Sequence, residues 1–502
     1  MILRPYQTQA VADVRAALPT HRSVVLSLPT GAGKTQVASD LIRSLRVPTL
    51  FVAHRRELIA QAAARLRSFD VPCGVIMGGH PRTLEPVQVA SIQSLARRDL
   101  PPVELLVIDE AHRACSATYR ALLAKLPTVP TVGLTATPFR LDGKGLRDIF
   151  NHLTVGPLAA ELCADGYLVP ASVLVPPGAV LDDVPTRAGD FVQDRLAAAV
   201  NRPQLVGDVV QHLLKHGRPP IMGFAVGIEH SKALAAACCA AGIAAEHLDG
   251  ETDRDQRAAV LARLATGETK AVWNADLFGE GLDLPAIETV ALARPTQSLG
   301  LFLQQIGRGA RPTPAKKDFV VLDHGGNYAR FFERLTPRWF GTRLVVDVVG
   351  VTLDGPPPKR PRDSAPGARR CPRCFILNPP GAADCWSCGV PLPPPAKKPP
   401  PKPVAADLVP LTPTEQRAAT WDDKKAWWAA HGTEKLASAA FRERFRHYPP
   451  VYHGRLLSPT DPADAEYRSR LLAGTVRAMG DRGRFVVLAK FAGQWRLPPV
   501  SV

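Results

Sequence analysis

The sequence predicts an α/β protein: two similar parallel-sheet lobes with helices on both faces, then a small cysteine module and a small α+β domain. Three observations carry that prediction. Ahead of Gly355 short apolar runs alternate with amphipathic stretches; residues 355–404 hold sixteen of the 49 prolines; and four cysteines in that stretch stand as C-x2-C, ten residues, C-x2-C. Strand–helix alternation gives parallel sheets, because a helix must carry the chain back to the starting edge before the next strand. Proline lacks both the N–H and the free φ that helix interiors and central strands need.

The first lobe, residues 1–165, contains the strand-like runs "SVVLSL", "TLFVAH", "VQVASI", "LLVIDE" and "TVGLTAT", with helical stretches such as "RRELIAQAAARLRSF" between them. The second, 166–350, repeats the pattern with "PIMGFAVG", helical "IEHSKALAAACCAAG", "AAEHLDG", helical "DRDQRAAVLARLATG", "KAVWNA", "TVALAR" and "DFVVLDHGG". A Pro-rich basic linker follows over 351–370, the cysteine module over 371–390, a Pro/Lys linker over 391–404 and a basic accessory domain over 405–502.

Of the 502 residues 46% are hydrophobic and 22% charged, with no apolar run long enough to cross a bilayer, so no membrane partner is expected. The opening "MILRPYQTQA" lacks the charged-then-apolar pattern of a signal peptide, which predicts a reducing, cytoplasmic setting. The net charge of +16 is concentrated late. Residues 355–404 carry nine Lys/Arg against two Asp, and residues 405–502 carry fifteen basic against ten acidic. A basic tail on a modestly charged body suits a polyanion, through counterion release.

"LPTGAGKT" follows an apolar strand and opens a helical stretch, the setting in which backbone N–H groups and the helix amino end face a phosphate. Thr30, Gly31, Ala32 and Gly33 form the loop, Lys34 reaches the β and γ phosphates, and the Thr35 hydroxyl holds magnesium. Asp109 and Glu110 end the buried run "LLVIDEAH"; Asp109 serves magnesium and Glu110 polarises the attacking water. In "QQIGRGARP", Arg308 and Arg311, three apart on a predicted helix, share a face and can neutralise charge developing on the γ-phosphate. Cys371, Cys374, Cys385 and Cys388 have the spacing of two knuckles holding tetrahedral zinc, and with so few apolar neighbours metal binding supplies the folding energy. Cys73, Cys115, Cys163, Cys238 and Cys239 read as small hydrophobes.

"PTGAGKT", "DEAH" and "TAT", in that order, resemble the first lobe of superfamily 2 DEAD/DEAH-box-type helicases, and "QQIGRGARP" resembles that family's sixth motif, on Gln304, Gly307, Arg308 and Arg311. The resemblance implies tandem RecA-like lobes with ATP and Mg2+ between them. "LRPYQ" resembles the adenine-reading motif, implying that Gln7 bonds adenine beside Arg4. "AHRREL" and "SIQSL" resemble strand-contacting motifs, implying nucleic-acid contacts from His54, Arg55, Arg56, Ser91 and Gln93, with Thr135 and Thr137 of "TAT" added. "ADLFGEGLDLP" resembles the fifth motif, in which Gly281 and Asp283 link nucleotide state to strand grip. With the cysteine module, the segment "RFVVLAKFAGQWRL" resembles the end of RadD-like bacterial DNA repair helicases.

That resemblance implies a nucleoid-associated enzyme on single-stranded, forked or branched DNA, with a recombinase or single-strand-binding protein as partner. Backbone contacts leave RNA open. Two further readings stand beside it: an ATP-gated remodelling protein that never separates strands, and the motor subunit of a restriction system. Trp421, Trp427, Trp428 and Trp495 of the tail are read as packing residues.

Overall fold

The structure is a computed structural model. It describes residues 2–393 apart from 82, 141, 178–180, 182, 188, 189, 276–286 and 360–367, and of the remainder only 451–452 and 455–456. The chain forms two compact units, 1–396 and 397–502.

The first lobe runs α1 (Pro5–Ala17), β1 (Ser23–Ser27), α2 (Lys34–Leu45), β2 (Thr49–Ala53), α3 (Arg56–Ser68), β3 (Cys73–Ile76) and β4 (Val87–Ser91). It continues through α4 (Ile92–Leu95), β5 (Leu105–Asp109), α5 (Ala117–Lys125), β6 (Thr131–Thr135), β7 (His152–Val155) and α6 (Ala159–Ala164). All its strands are parallel, in the order β3-β4-β2-β5-β6-β1-β7. Strands β2, β4, β5 and β6 are buried along their whole length, which is why they read as unbroken apolar runs rather than alternating ones.

The second lobe opens with β8 (Ala171–Leu174), β9 (Thr186–Arg187), β10 (Asp190–Phe191), α7 (Gln193–Val200), α8 (Pro203–His216), β11 (Ile221–Ala225), α9 (Ile228–Ala240) and β12 (Ala245–Leu248). Then come α10 (Arg254–Thr266), β13 (Ala271–Ala275), β14 (Thr289–Leu292), α11 (Leu299–Ile306), β15 (Phe319–Asp323), α12 (Asn327–Phe331), β16 (Thr336–Phe340) and β17 (Arg343–Asp347). Its sheet order is β12-β13-β11-β14-β15-β8-β17-β16, parallel except for the β16–β17 hairpin and its junction with β8. In each lobe the strands end, at their carboxyl edge, where the next helices begin. That edge is where ligands meet open α/β sheets.

Two sequence expectations change. Helix α11 stops at Ile306, so Arg308 and Arg311 lie on the turn after it and not on a shared helical face. Gly307 and Gly309 weaken the helix there and Pro312 prevents its continuation.

The start of the predicted linker and the cysteine module are also built into the first unit. Leu353 is 5% exposed among Leu146 and Phe150 of the first lobe, and its carbonyl accepts from the Leu146 and Arg147 N–H groups. The module, with short strands β18 (Arg369–Arg370) and β19 (Leu377–Asn378), packs on β8: Val175 N–H donates to Phe375 O at 3.0 Å, and Leu174 pairs with Ile376.

Candidate active site between the lobes

The loop from Pro29 to Gly33 is built on two glycines in the left-handed region, Gly31 at φ 88° and Gly33 at φ 82°. A Cβ on Gly33 would stand 2.4 Å from Gln7 Nε2 and 2.6 Å from Gln36 Oε1, so no other residue fits without displacing both. Gly33 is the N-cap of α2, and Lys34 and Thr35 open that helix. Its first N–H groups have no helical partner and face outward, as an anion site requires.

Asp109 ends β5 and is 4% exposed, Glu110 8%. Asp109 Oδ1 accepts from Glu110 N–H at 3.0 Å, and Glu110 takes φ 50°, a strained conformation for a residue with a side chain. His112, 3% exposed, sits behind it: its Nδ1 is 3.4 Å from Glu110 Oε2 and 3.5 Å from Thr135 Oγ1. His112 thus links the Glu110 carboxylate to the end of β6.

From the second lobe, the turn after α11 faces the loop. Gly307 lies so close to Thr30 that a Cβ on it would be 2.5 Å from the Thr30 Cβ, and a Cβ on Gly31 would be 3.4 Å from Arg311 Cγ. Arg4, Gln7, Thr30, Gly31, Gly33, Lys34, Thr35, Asp109, Glu110, Arg308 and Arg311 line one cleft of about 530 Å3 between the lobes. Ala32 lies just beneath, 1% exposed, its carbonyl accepting from Tyr6 Oη at 2.8 Å and Gln7 Nε2 at 3.0 Å. Gln304 is buried at 2% under the turn.

The cleft fits a magnesium nucleotide. It joins a glycine cradle, a lysine, a hydroxyl, two carboxylates, and two guanidinium groups from the other lobe. Gln7 is 2% exposed and its amide is committed inward: Nε2 donates to Ala32 O and to Gln36 Oε1 at 2.8 Å, and Oε1 accepts from Arg4 N–H at 3.0 Å. Reading adenine would require Gln7 to exchange one of these partners. The Arg4 guanidinium lies 4.9 Å over the Tyr167 ring.

His54, Arg55 and Arg56 follow β2, while Ser91 ends its neighbour β4 and Gln93 follows it, so both segments meet at the carboxyl edge of the sheet. Gln93 Nε2 donates to His54 O at 3.3 Å and Ser91 Oγ to Gln93 Oε1 at 2.6 Å. Arg56 and Gln93 are exposed. Thr135 and Thr137 do not belong with them: they are 0% and 1% exposed, and Thr135 Oγ1 bonds Thr137 O at 2.9 Å, which corrects the expectation that they touch an outside strand. Thr135 lies beside His112, and Thr137 lines a pocket shared with Val169, Phe302 and Phe319 of the second lobe. Gly281 and Asp283 lie outside the described residues, as do Trp421, Trp427, Trp428 and Trp495.

Sequence reasoning passed over His112, though it stands inside "DEAH", and Gln36, Gln61, Arg65 and Ser68, which line the same cleft from α2 and α3. The latter carry no local signature, since only folding turns those helix faces toward the phosphate loop.

The four module sulfurs lie within 4.8 Å of one another, with Cys371–Cys388 and Cys374–Cys385 each at 3.6 Å. A four-thiolate set of that size suits tetrahedral zinc. Burial raises the Cys371 thiol's pKa, but N–H groups of Cys374 and Arg373 and the Cys388 thiol outweigh it and bring Cys371 to about 7. Of the other cysteines, Cys73 and Cys238 are buried and Cys239 is exposed.

Two family models match the chain: "Type III restriction enzyme, res subunit" over residues 1–140, and "Helicase conserved C-terminal domain" over 205–313. The second spans the turn with Arg308 and Arg311, so matched segments supply both walls of the cleft. The chain belongs to the superfamily 2 helicases.

Among its relatives, the Saccharomyces cerevisiae protein named "Putative ATP-dependent helicase IRC3" is 30% identical over 356 residues, covering 65% of this chain and 52% of that one. The "DNA 3'-5' translocase XPB2" of Sulfurisphaera tokodaii is 27% identical, covering 64% of this chain and 80% of its own. This superfamily 2 chain therefore spans about half the length of the yeast relative. Its fold resembles a fragment of an HsdR subunit of a type I restriction enzyme from Vibrio vulnificus, with a TM-score of 0.52 at 23% identity and 66% of each chain covered. The two sheets are RecA-like lobes. Among the described residues no helix is long and apolar enough to cross a membrane.

Proposed function

We propose that the chain is an ATP-dependent DNA translocase or helicase of the RadD-like kind, acting in repair or recombination, with lobes divided near residue 166. One observation supports this most: Lys34, Asp109 and Glu110 stand opposite Arg308 and Arg311 across a single cleft. In this reading Lys34 and the loop N–H groups hold the phosphates, Thr35 and Asp109 hold Mg2+, Glu110 orients the water, and the two arginines neutralise charge as the γ-phosphate leaves. A magnesium ion held there by Thr35 and Asp109 would offset the negative charge of the phosphates.

Because the donors sit on different lobes, nucleotide binding favours the closed arrangement and hydrolysis releases it. His54, Arg55, Arg56, Ser91 and Gln93 then form the strand-gripping edge, meeting phosphate and sugar more than bases. A cytoplasmic, nucleoid-associated setting and a recombinase or single-strand-binding partner belong to the same proposal. The tail at 405–502 is its basic accessory domain, and the cysteine module holds zinc.

The test is ATP turnover with single-stranded DNA, duplex, forked DNA and RNA at matched salt, beside a strand-displacement assay. The reading expects DNA-stimulated turnover that Lys34→Ala and Glu110→Gln each reduce at least a hundredfold. Stimulation by RNA alone would overturn the DNA assignment, and turnover without displacement would leave a translocase or ATP-gated remodelling protein. The family model over 1–140 supports a second reading, a restriction motor. Co-purification with a nuclease subunit would favour it.

A further inference from the structure

Lys316 is 7% exposed, and lysines are rarely buried that deeply without a task for the ammonium group. Its Nζ donates to the Gly309 carbonyl at 2.6 Å and to the Ile287 carbonyl at 2.5 Å. Gly309 lies between Arg308 and Arg311, on the turn where α11 has run out and carbonyls no longer find helical partners. A cation at that helix end is favoured by the exposed carbonyls and by the helix dipole.

The turn is held on its other sides as well. Phe319 fills the place where a Cβ on Gly309 would lie, 2.1 Å away, and its ring is 5.5 Å from Nζ. Val169 N–H donates to Ala310 O at 2.8 Å. Ile287, the second anchor, lies four residues beyond Asp283 in the chain and just before β14.

We propose that Lys316 is a positioning residue for Arg308 and Arg311: from beneath, it clamps the turn that carries them and ties it to the segment entering β14. This rests on the reading of the cleft as an ATP site. The charged groups around Lys316 are Arg218, Arg311, Arg343, Lys317, Glu288 and Asp318. Burial lowers the lysine's pKa to about 8, with Arg218 and Arg311 adding and Glu288 and Asp318 opposing, so the group is protonated at pH 7.

A double-mutant cycle on the full chain tests it, comparing native protein, Lys316→Met, Arg308→Ala and the double variant. Positioning predicts that Lys316→Met lowers kcat about tenfold or more while Kd for a fluorescent ATP analogue moves less than about threefold. In the Arg308→Ala background the same change should cost at least about threefold less. Losses that simply multiply, or Lys316→Met turnover within about twofold of native, overturn the proposal. Should Lys316→Met aggregate, Lys316→Gln, uncharged but still a donor, is read through the same cycle. Absence of ATP turnover in the native protein would reject the ATP reading; native turnover with independent losses would reject only the role of Lys316.

Discussion

At residue scale the cleft depends on backbone conformations that few side chains tolerate. Gly33 combines φ 82° with the close approach of Gln7 and Gln36, so Gly33→Ala meets both left-handed strain and collision. Left-handed strain alone costs about 1–2 kcal/mol. Nucleotide titration should show affinity weakened about tenfold or more, with the thermal midpoint shifted by only a few degrees.

Asp323 offers a pH test. It is 0% exposed at the end of β15. Burial pushes its carboxyl up to about 6, against the N–H groups of Tyr328 and Asn327. Because the folded state binds this proton more tightly than the unfolded one, its contribution to stability is present below about pH 4. It is lost as pH rises through about 6. Asp323→Asn keeps an acceptor for Tyr328 N–H and removes the titration. The stability of native protein relative to this variant, from denaturant unfolding, should therefore decline from pH 4 to 7; a flat difference would refute the assignment.

At the scale of elements, the cysteine module is part of the second lobe's edge. Besides its backbone contacts with β8, the Arg343 guanidinium of β17 lies 4.4 Å over the Trp386 ring, and Phe375 meets His212 of α8 edge-on at 5.7 Å. With Cys371, Cys374 and Cys385 buried, unpaired thiols there would leave the module without the bonds that replace a core. Cys371→Ser, or prolonged chelation, should lower metal content by atomic absorption. It should also lower the calorimetric midpoint of the first unit by about 5 °C or more, since the contacts on β8 go with it. An unchanged midpoint would make the module an independent bead.

At the scale of the whole first unit, contacts away from the cleft also join the lobes: Asp347 of β17 accepts from the Ala159 and Ala160 N–H groups of α6 at 2.8 and 3.2 Å. Arg257 of α10 pairs with Glu57 of α3, one residue from Arg56 at the proposed strand-gripping edge, and also donates to the Asp249 and Thr252 carbonyls. After the second sheet the chain crosses back to bury Leu353 in the first lobe, where Arg147 pairs with Asp354. Leu353→Ala removes a fully packed side chain and should cost about 2–4 kcal/mol by denaturant unfolding. The exposed Arg147–Asp354 pair adds little by comparison. Breaking the Arg257–Glu57 pair with Arg257→Ala should weaken the coupling between nucleotide and DNA binding more than it weakens either alone. Titrations of DNA with and without nucleotide measure that.

Much of the cleft was legible because its chemistry is local. Glycines, Lys34 and Thr35 stand together, and Asp109 and Glu110 end one buried strand, so adjacent residues declare their task before folding. The cysteine spacing is likewise a local statement about ligands. Helical sharing between Arg308 and Arg311 was misread for a local reason too, since two glycines and a proline end the helix before them. What the sequence by itself determined, then, is the list of chemical parts and the alternation that makes two parallel sheets. Only the tertiary structure decided that a turn some 270 residues beyond Lys34 faces the phosphate loop, that Lys316 supports that turn from beneath, and that Thr135 and Thr137 lie buried. Those facts depend on which surfaces pack against each other, and packing between distant segments leaves no pattern in either segment alone.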